Sequence, residues 1–465
     1  MKNILKAYNQ KDTLLVITSY PNPVNGKYGK RDFNAIGEHS ERRLPYLAKN
    51  RKVLVAAEDL GTTKYFEPQN NIAIARTWKK GDLLSILKLA KFILQFDKIK
   101  SVLVQFEFNV LGGIKANLIL LMVLMLLKLR GKRVTFEMHQ VLTDIGSVKR
   151  HININNPIMQ QIYNLGLKIF YLVTGLVTDK IIVFEEEMKL RLKKYVPASK
   201  IEVLCLSVDK QKVIAIKEAR AQLGVKQDEF VLLVFGFING YKGIDWILNA
   251  LKGMEGLPAG RQGKKVRLII AGGKNPYLIN KPFYQKFYNS IVAQTQKYAH
   301  VTYTDFVPED KVSLYYSACD LVVMPYIAFM SASGPFSRAL AHEKPIIISE
   351  KLADYAKTAD FVQSFNSAGL KKEDVVFELN KRSLLSHIEK AQTNPAYLKG
   401  LGEFSKALAK ARNIENVSRS LDNILFEKQT ITTQRSLLFE LVENGNSVMH
   451  NFSMRAIALT RRINA

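Results

Sequence analysis

The sequence predicts an α/β protein built on parallel sheets, and three observations favour that class. Residues 301–349 run from a strand through a helix, a second strand and a Gly-containing loop to a second helix, which is the order of a parallel-sheet unit. Residues 230–235 (FVLLVF) form another buried-strand run that leads to a Gly-rich loop and a helix. With 465 residues, of which 47% are hydrophobic, the chain can build two domains with separate cores.

The loop after the strand at 230–235 has the composition of a phosphate site. It reads GFINGYKG (236–243), and the helix that follows has Ile247 and Leu248 on its apolar side. A structural turn needs the glycines but not an ammonium group, whereas Lys242 would neutralise a diphosphate. We therefore predict phosphate binding at Lys242, with an ordinary turn as the alternative.

A second loop of small residues follows the apolar strand Leu321–Met324. Pro325 ends that strand, and SASG (331–334) precedes a helical stretch over 336–342. Free N–H groups and the helix dipole at such a helix start both attract anions. The pattern predicts an anion-binding loop, and a plain strand-to-helix connection is again the alternative.

The order of these motifs resembles the glycosyltransferase family 4 enzymes, whose architecture of two Rossmann-like domains is called GT-B. Their carboxyl-terminal domain typically shows a strand, a glycine and a Lys-Gly pair before a helix, as in FGFINGYKGIDWI (235–247). It continues with segments similar to LIIAGG (268–273), SACDLVVMP (317–325) and HEKPIII (342–348). Four ordered matches are specific, whereas any one alone would be weak.

The amino-terminal half resembles the same family less closely. LLVITSYPNPVNGKYGKRDFN (14–34) is similar to the family's first strand and Gly-containing donor loop. The later strands are similar to RKVLVAA (51–57), KSVLVQFEF (100–108), RVTFEMH (133–139) and DKIIVFEEEMKLRL (179–192).

The resemblance implies a GT-B fold in which two Rossmann-like domains face each other across a ligand-binding cleft. We predict an acceptor-side domain at 1–198 and a donor-binding domain at 199–405. Residues 406–429 would be crossover helices and 430–465 a helical extension. The Gly/Pro-rich segment 257–265 is predicted to be an exposed loop without a catalytic role.

The resemblance also implies the site residues. Lys242 would stabilise the leaving diphosphate, and His139 matches the family's histidine near the donor sugar, so these two are the predicted catalytic residues. Glu107 is an acceptor-side candidate, with a partner for nearby basic residues as the alternative. The predicted donor-binding residues are Gly26, Gly29, Gly236, Gly243, Gly272, Phe306, Val307, Ser331, Ser333, Gly334, Pro335 and Arg338.

Two departures from the family pattern bear on activity. Most relatives have two glutamates eight residues apart, where this chain has Met330 and Arg338; neither side chain accepts hydrogen bonds as a carboxylate does. Many relatives have an arginine where this chain has Phe237. A subset of the family with a Ser-x-Ser-Gly-like loop resembles this chain, in which Lys242, with help from Arg338, would compensate the diphosphate charge.

The net positive charge of the chain indicates an anionic partner. The formal net charge is +27, and basic residues are concentrated in the amino-terminal half. We expect either a normal solvated basic face or an anionic membrane surface there. Specific nucleic-acid binding is not expected, because no helix-turn-helix, zinc-ligand or RNP-like pattern is present. The clustered residues are Lys27, Lys30, Arg31, Arg42, Arg43, Lys49, Arg51 and Lys52, followed by Lys79, Lys80, Lys88, Lys91, Lys98 and Lys100.

The predicted location is the cytoplasm, peripheral at the inner face of the membrane. Cys205 and Cys319 match no metal spacing and favour a reducing compartment. The start of the chain is predicted to be a first strand and not a signal peptide. The apolar run Leu118–Leu127 is shorter than a membrane span and predicts a buried helix.

The predicted function is transfer of a sugar from a nucleoside diphosphate sugar to a glycan or lipid-linked acceptor, with retention of configuration, in cell-surface polysaccharide or glycolipid synthesis. The donor is a co-substrate, and neither a cofactor nor a metal is expected. The alternatives are a catalytically inactive GT-B module that binds a nucleotide sugar or glycan, and a GT-B sugar-nucleotide epimerase. Donor base, sugar, acceptor and linkage stay open.

Overall fold

The computed structural model describes residues 6–21, 35–61, 64–252 and 265–426, and these form two compact units. Unit 1 takes the chain up to Thr143, then Ile158–Cys205 and the chain from Val417 onward; unit 2 is Asp144–Pro157 with Leu206–Asn416. The division at 205/206 lies beyond the predicted boundary at 198, because Ile201–Val203 completes the sheet of unit 1. The predicted extension 430–465, Gly26, Gly29 and residues 257–264 lie outside the described residues.

Each unit contains one sheet that is parallel except at one edge of the first. In unit 1 the described strands are ordered β3-β4-β2-β1-β5-β6-β7-β8, and in unit 2 they are ordered β11-β10-β9-β12-β13-β14. Only the pairing of β3 with β4 is antiparallel among these strands. The strands are β1 (Leu14–Thr18), β2 (Val53–Glu58), β3 (Tyr65–Gln69), β4 (Ile72–Trp78), β5 (Ser101–Phe106), β6 (Arg133–Met138), β7 (Lys180–Val183), β8 (Ile201–Val203), β9 (Glu229–Phe235), β10 (Lys265–Ala271), β11 (Val301–Tyr303), β12 (Leu321–Met324), β13 (Ile346–Ser349) and β14 (Val376–Phe377).

Helices connect most of the successive strands in both units. The described α-helices are α1 (Ala35–Leu47), α2 (Leu83–Leu94), α3 (Ile114–Leu129), α4 (Lys149–Ile152), α5 (Pro157–Val177), α6 (Glu186–Leu192), α7 (Ile216–Leu223), α8 (Ile244–Ala250), α9 (Pro282–Thr295), α10 (Glu309–Ala318), α11 (Gly334–Ala341), α12 (Ala359–Ser367), α13 (Lys372–Val375), α14 (Lys381–Thr393), α15 (Pro395–Ala411) and α16 (Ile414–Phe426). Short 3₁₀ turns lie at Gly146–Val148, Ala198–Lys200 and Glu350–Lys357.

The sequence explains where these elements begin and what they bury. The central strands β1, β5, β9 and β12 are apolar and buried along nearly their whole length, as expected for parallel sheets covered on both faces. Asp82 accepts hydrogen bonds from the amides of Leu84 and Ser85 and so caps the start of α2. The core of unit 1 also takes in Leu421 and Leu425 of α16.

The apolar run Leu118–Leu127 lies in α3, and the prediction that this helix is buried is wrong for one side of it. Leu120, Leu124 and Leu127 are fully buried, whereas Leu118 and Met122 are more than half exposed. Within the described ranges, no helix combines the length and apolar character required to cross a bilayer.

Candidate functional site

The loops of unit 2 that contain the predicted donor residues follow β9 and β12, which are neighbours in the sheet. The chain leaves β9 toward β10 on one side and leaves β12 toward β13 on the other, so the strand order reverses between them. Such a switch point leaves an open crevice beyond the carboxyl ends of the two strands, where ligands of open parallel sheets bind.

Three glycines bring these loops into close contact. A Cβ on Gly236, whose φ is +101°, would lie 2.5 Å from Lys242 Nζ and 2.9 Å from Pro335 Cγ. A Cβ on Gly243 would lie 1.9 Å from the carbonyl oxygen of Pro325. A Cβ on Gly272 would lie 2.2 Å from the carbonyl oxygen of Gly236. Glycine is required at all three positions because no side chain fits.

The loop after β9 is also held by hydrogen bonds. The Ile238 amide donates to the Gly273 carbonyl at 3.0 Å, and Asn275 Nδ2 donates to Asn239 Oδ1 at 2.9 Å. Tyr284 Oη donates to the Ile238 carbonyl at 2.8 Å. The loop therefore presents its residues from a fixed backbone, which lowers the entropic cost of binding a ligand.

Lys242 is the basic residue of the loop after β9, and it is buried, with 5% of its surface exposed. Burial lowers the pKa of its ammonium group to about 7, because the charged form loses hydration. None of the described residues forms an ion pair with it, and the aromatic ring of Tyr326 lies 5.9 Å from Nζ. A buried cation without an anionic partner fits a site whose ligand supplies the negative charge.

His151 lies beside this lysine, although it comes from the segment Asp144–Pro157. Its ring meets the ring of Tyr241 edge to face at 5.2 Å, and its Nδ1 is buried without a hydrogen-bond partner in the structure. Burial and the charge of Lys242 lower the pKa of His151 to about 4. The imidazole is thus neutral near pH 7 and has a free polar atom next to the predicted diphosphate position.

The second predicted anion loop leads to the start of α11. Ser333 caps this helix by accepting from the Phe336 amide, and its hydroxyl pairs with Tyr326 Oη at 3.0 Å. Gly334 and Pro335 open the helix, and Ser331 is half-buried before them. The arrangement places a positive helix end within the same set of loops as Lys242.

Two aromatic residues stand at the ends of β9 and β11. The rings of Phe237 and Phe306 are stacked, with centroids 6.4 Å apart and an interplanar angle of 20°, and both residues are partly exposed. Val307 beside them is buried. Phe237, where many relatives carry an arginine, thus adds an apolar surface here and no charge.

Arg338 does not supply free charge to the site. Both of its terminal nitrogens donate to Glu309, one to each carboxylate oxygen, at 2.7 Å. The carboxylate therefore balances the guanidinium charge within unit 2, so the expected help from Arg338 with the diphosphate is not supported. Met330, at the other expected glutamate position, is buried at 5% exposure and has no group that binds a hydroxyl.

In unit 1, His139 belongs to a buried cluster with Glu137, Arg43 and His39. Arg43 Nη2 donates to Glu137 Oε2, while Glu137 Oε1 lies 3.3 Å from His39 Nε2 and 3.5 Å from His139 Nε2. Burial alone would raise the pKa of Glu137, but Arg43 and the two histidines lower it. Burial lowers the pKa of His139 to about 3, so this ring is neutral near pH 7.

Among the described residues, His39, Glu137 and His139 are the group whose ligand atoms come close enough to hold a metal ion, all within 4.8 Å of one another. Two imidazoles and one carboxylate are a donor set that zinc accepts. Arg43 opposes this use, because it already occupies the second oxygen of Glu137 and would place its charge beside the ion. Glu137 Oε1 and the Nε2 atoms of His39 and His139 are buried without a hydrogen-bond partner in the structure, so Arg43 is the observed obstacle to a metal ion here.

Glu107 follows β5 at the switch point of the first sheet, where the chain leaves β1 and β5 in opposite directions. Gln140 Nε2 donates to its Oε1 at 3.1 Å. Burial raises the pKa of Glu107, and Lys80 opposes that rise. Glu58, at the end of β2, accepts from Ser19 Oγ at 3.0 Å, and burial raises its pKa too. Two partly buried carboxylates with Lys80 near both form a polar site at this sheet edge.

The comparisons with known proteins identify part of the chain directly. Residues 229–366 match the model of the family Glycosyl transferases group 1. This range of unit 2 is therefore similar to a Glycosyl transferases group 1 domain. The matched range includes Gly236, Lys242 and the start of α11, so the resemblance drawn from the motifs is confirmed. A search of curated proteins found no match.

Solved structures match far more of the chain than this domain, at low identity. Sucrose-phosphate synthase from Thermosynechococcus elongatus is 14% identical, with a TM-score of 0.64 over 89% of this chain and 98% of that one. HepE from Anabaena, in complex with UDP and glucose, is 14% identical, with a TM-score of 0.59 over 89% and 99%. WaaG, a glycosyltransferase involved in lipopolysaccharide biosynthesis, is 13% identical, with a TM-score of 0.56 over 89% and 100%. The predicted fold class, two Rossmann-like GT-B domains, is confirmed.

The structure thus brings Lys242, Gly236, Gly243, Gly272 and the start of α11 together around the switch point of unit 2. It places His139 and Glu107 in unit 1, each with polar neighbours. The roles of these residues stay predictions. Three residues that the sequence did not predict are His151, Glu58 and Glu137. The two acids lie in or beside predicted strand ends, which was the available signal for them, whereas His151 lies in a short helix far from any predicted strand.

Proposed function

We propose that the protein transfers a sugar from a nucleoside diphosphate sugar to a hydroxyl of a glycan or lipid-linked acceptor. The observation that carries this proposal is Lys242 at the switch point of unit 2, which is buried and has no ion-pair partner among the described residues. A diphosphate is the ligand that matches a cation, a helix start and backbone amides in one loop set. HepE, solved in complex with UDP-glucose, supports a nucleotide sugar as the donor.

In this reaction, unit 2 would stabilise the leaving nucleoside diphosphate. As the bond to the sugar breaks, negative charge grows on the diphosphate, and Lys242 with the amides at the start of α11 would offset it. We also propose that His151 Nδ1, which is buried without a hydrogen-bond partner in the structure, forms a hydrogen bond with a phosphate oxygen. We propose that this set replaces a bound metal and that the product retains its anomeric configuration.

The acceptor would bind to unit 1 at the carboxyl edge of its sheet. Glu107 and Glu58 are partly buried carboxylates, and a carboxylate accepts hydrogen bonds from sugar hydroxyls well. His139 Nε2 faces Glu137, so a hydrogen bond from this residue to a sugar would use Nδ1. We place the activity in cell-surface polysaccharide or glycolipid synthesis, on the cytoplasmic side of a membrane.

A catalytically inactive binding module is the second candidate, because Met330 and Arg338 replace the paired glutamates of most relatives. Arg338 is bound to Glu309 and Met330 is buried, so neither can take over a glutamate's contact with the donor. This candidate predicts that a nucleotide sugar binds but is not consumed when acceptors are supplied.

The test is a thermal-shift screen with UDP, GDP, ADP and their sugar conjugates. A ligand that binds only the folded protein raises the midpoint of unfolding. We expect a shift with one nucleotide class that disappears in Lys242→Met and persists in Lys297→Met, an exposed lysine of unit 2 used as the control. Absence of any shift in wild type would contradict nucleotide-sugar binding.

Turnover with the identified donor then separates the candidates. Release of the free nucleoside diphosphate only when an acceptor is present supports transfer. Conversion of the donor sugar without an acceptor would indicate an epimerase, and binding without either reaction would indicate the inactive module.

A further inference from the structure

Helix α3 exposes an apolar stripe along its full length. Ile114, Leu118, Met122, Met125 and Leu129 follow one another at intervals of four, four, three and four residues, so they share one face of the helix. Between 49% and 78% of each residue's surface is exposed. Large apolar residues aligned in this way on a surface indicate a binding face, whereas single exposed ones are ordinary.

Helix α5 repeats this pattern. Ile158, Ile162, Ile169 and Leu176 lie within one narrow stripe of its surface, and each is at least half exposed. The opposite side of the helix is buried through Phe170, Tyr171 and Thr174. Helix α2 adds Leu84 and Leu87, which are 67% and 47% exposed.

The topology places the three helices on the same face of the first sheet. Helix α2 connects β4 to β5, α3 connects β5 to β6 and α5 lies between β6 and β7, so all three connections run in the same direction along the sheet. Parallel connections are right-handed, and three that run the same way cover the same face. The exposed stripes of the three helices therefore lie on the same side of unit 1, and together they are here called the apolar helix face.

The charges on this surface are of one sign. Helices α2, α3 and α5 contain Lys88, Lys91, Lys115, Lys128 and Lys168 and not a single Asp or Glu. Lys88, Lys91 and Lys115 are exposed, while Lys128 pairs with Asp179 beyond the helices. Apolar side chains surrounded by basic ones, without acidic residues, match the interface of an anionic bilayer, whose headgroups attract lysine while its acyl chains take up leucine.

We propose that the apolar helix face docks unit 1 onto an anionic lipid bilayer. Each of the three helices has one buried side and one exposed side, so the helices lie in the plane of the interface with their stripes inserted between headgroups. The proposal stands on exposure, topology and charge in unit 1, and it holds or fails independently of sugar transfer.

The first experiment measures co-sedimentation of the full chain with vesicles of phosphatidylcholine alone or mixed with phosphatidylglycerol. We expect binding to the anionic vesicles that weakens steeply as salt is raised, because the electrostatic part is screened. The variant Met122→Glu with Leu129→Glu should bind at least about 10-fold more weakly, because two stripe residues then become acidic. Val213→Glu with Ile279→Glu, two exposed apolar positions of unit 2, should bind like wild type.

The second experiment removes charge and leaves the apolar stripes intact. Replacing Lys88, Lys91 and Lys115 by Gln should weaken binding to anionic vesicles by on the order of 100-fold, at roughly fivefold per lysine near the surface. The control replaces the exposed Lys226, Lys286 and Lys297 of unit 2 in the same way. Circular dichroism confirms that each variant is folded.

Three outcomes would overturn the proposal. Wild type that binds no vesicles, or binds them equally with and without anionic lipid, excludes an anionic bilayer as the partner. Vesicle binding that neither set of unit 1 variants weakens places the contact elsewhere in the chain. Light scattering that shows a dimer in wild type and a monomer in Met122→Glu with Leu129→Glu, with vesicle binding unchanged, assigns the face to a second copy of the chain.

Discussion

Buried lysines of the two units differ in what surrounds the ammonium group. Lys200 in unit 1 donates to the carbonyls of Gly175 and Thr178 at 2.6 and 2.9 Å, at the carboxyl end of α5. Lys132 likewise donates to Phe96 and Ile99 at 2.7 Å. Lys242 in unit 2 is as buried, yet none of the described residues accepts a hydrogen bond from its side chain. A lysine that satisfies helix carbonyls stabilises the fold, whereas one without acceptors is suited to a ligand.

The contrast extends to buried charge in general. In unit 1, Glu137 and Arg43 neutralise each other, and two histidines surround the carboxylate. In unit 2, the Lys242 charge is left for an anion. Partner and burial together, and not burial alone, therefore separate structural from functional ionisable groups.

The largest effect we expect comes from breaking the compensated pair. Glu137→Gln leaves Arg43 buried without its anion, and the free energy of unfolding should fall by about 3–5 kcal/mol. Urea denaturation followed by circular dichroism measures this. The double variant Arg43→Met with Glu137→Gln removes both charges and should recover a large part of the loss. A single variant as stable as wild type would show that the pair is not needed.

The uncompensated lysine should behave in the opposite way. Lys242→Met removes the charge that would meet the diphosphate, and turnover should fall by at least about 100-fold. The unfolding midpoint without ligand should not fall, because no hydrogen bond is lost and an unpaired buried charge is removed. Initial rates with saturating donor and a melting curve provide the two readings. Near-normal turnover would exclude the proposed role.

Lys200→Met is the matched substitution in unit 1. It leaves the carbonyls of Gly175 and Thr178 without their donor and should cost about 1–3 kcal/mol of stability. Turnover at a temperature where the variant is folded should stay within about twofold of wild type, since nothing assigns Lys200 to a ligand. If both lysine variants lost stability and turnover alike, the distinction between them would fail.

The smallest effect that we expect is the uptake of a proton when a nucleotide binds. Lys242 has a pKa of about 7 in the folded protein and about 10.4 when unfolded, so it is largely neutral at pH 8. A bound diphosphate favours the charged form and raises this pKa, so nucleotide binding at pH 8 should take up close to one proton, and less at pH 6. Calorimetry in buffers of different ionisation enthalpy measures the uptake. Lys242→Met should show less uptake than wild type, and equal values would contradict this origin.

Several local features of the fold were predicted from the sequence because they depend on neighbours along the chain. The strand Leu321–Met324 has the predicted bounds, and the loop with Lys242 does follow a strand at 229–235. Glycines at 236 and 243 also stand where positive φ or close approach demands them. Short-range patterns of this kind are fixed by propensity and periodicity.

The features that were not predicted depend on residues far apart in sequence. Nothing near Arg338 indicated that Glu309 would pair with it, and nothing near Glu137 indicated Arg43. The contact of His151 with Tyr241 was not predicted, because three strands and three helices of the chain separate the two residues. One-sided burial of α3 was also missed, since an apolar run without polar interruptions has no periodicity to reveal which face is solvent-exposed.

The membership of α16 in unit 1 has a consequence for the order in which the chain is made. Leu421 and Leu425 fill the core beside β1 and β2, and Asp422 forms a two-pronged ion pair with Arg51. All residues of unit 2 leave the ribosome before this helix does, although most of unit 1 was synthesised first. The amino-terminal sheet therefore lacks part of its core until α16 has been synthesised, whereas unit 2 can already fold. We expect the nascent chain to need chaperone protection most in the amino-terminal part of unit 1.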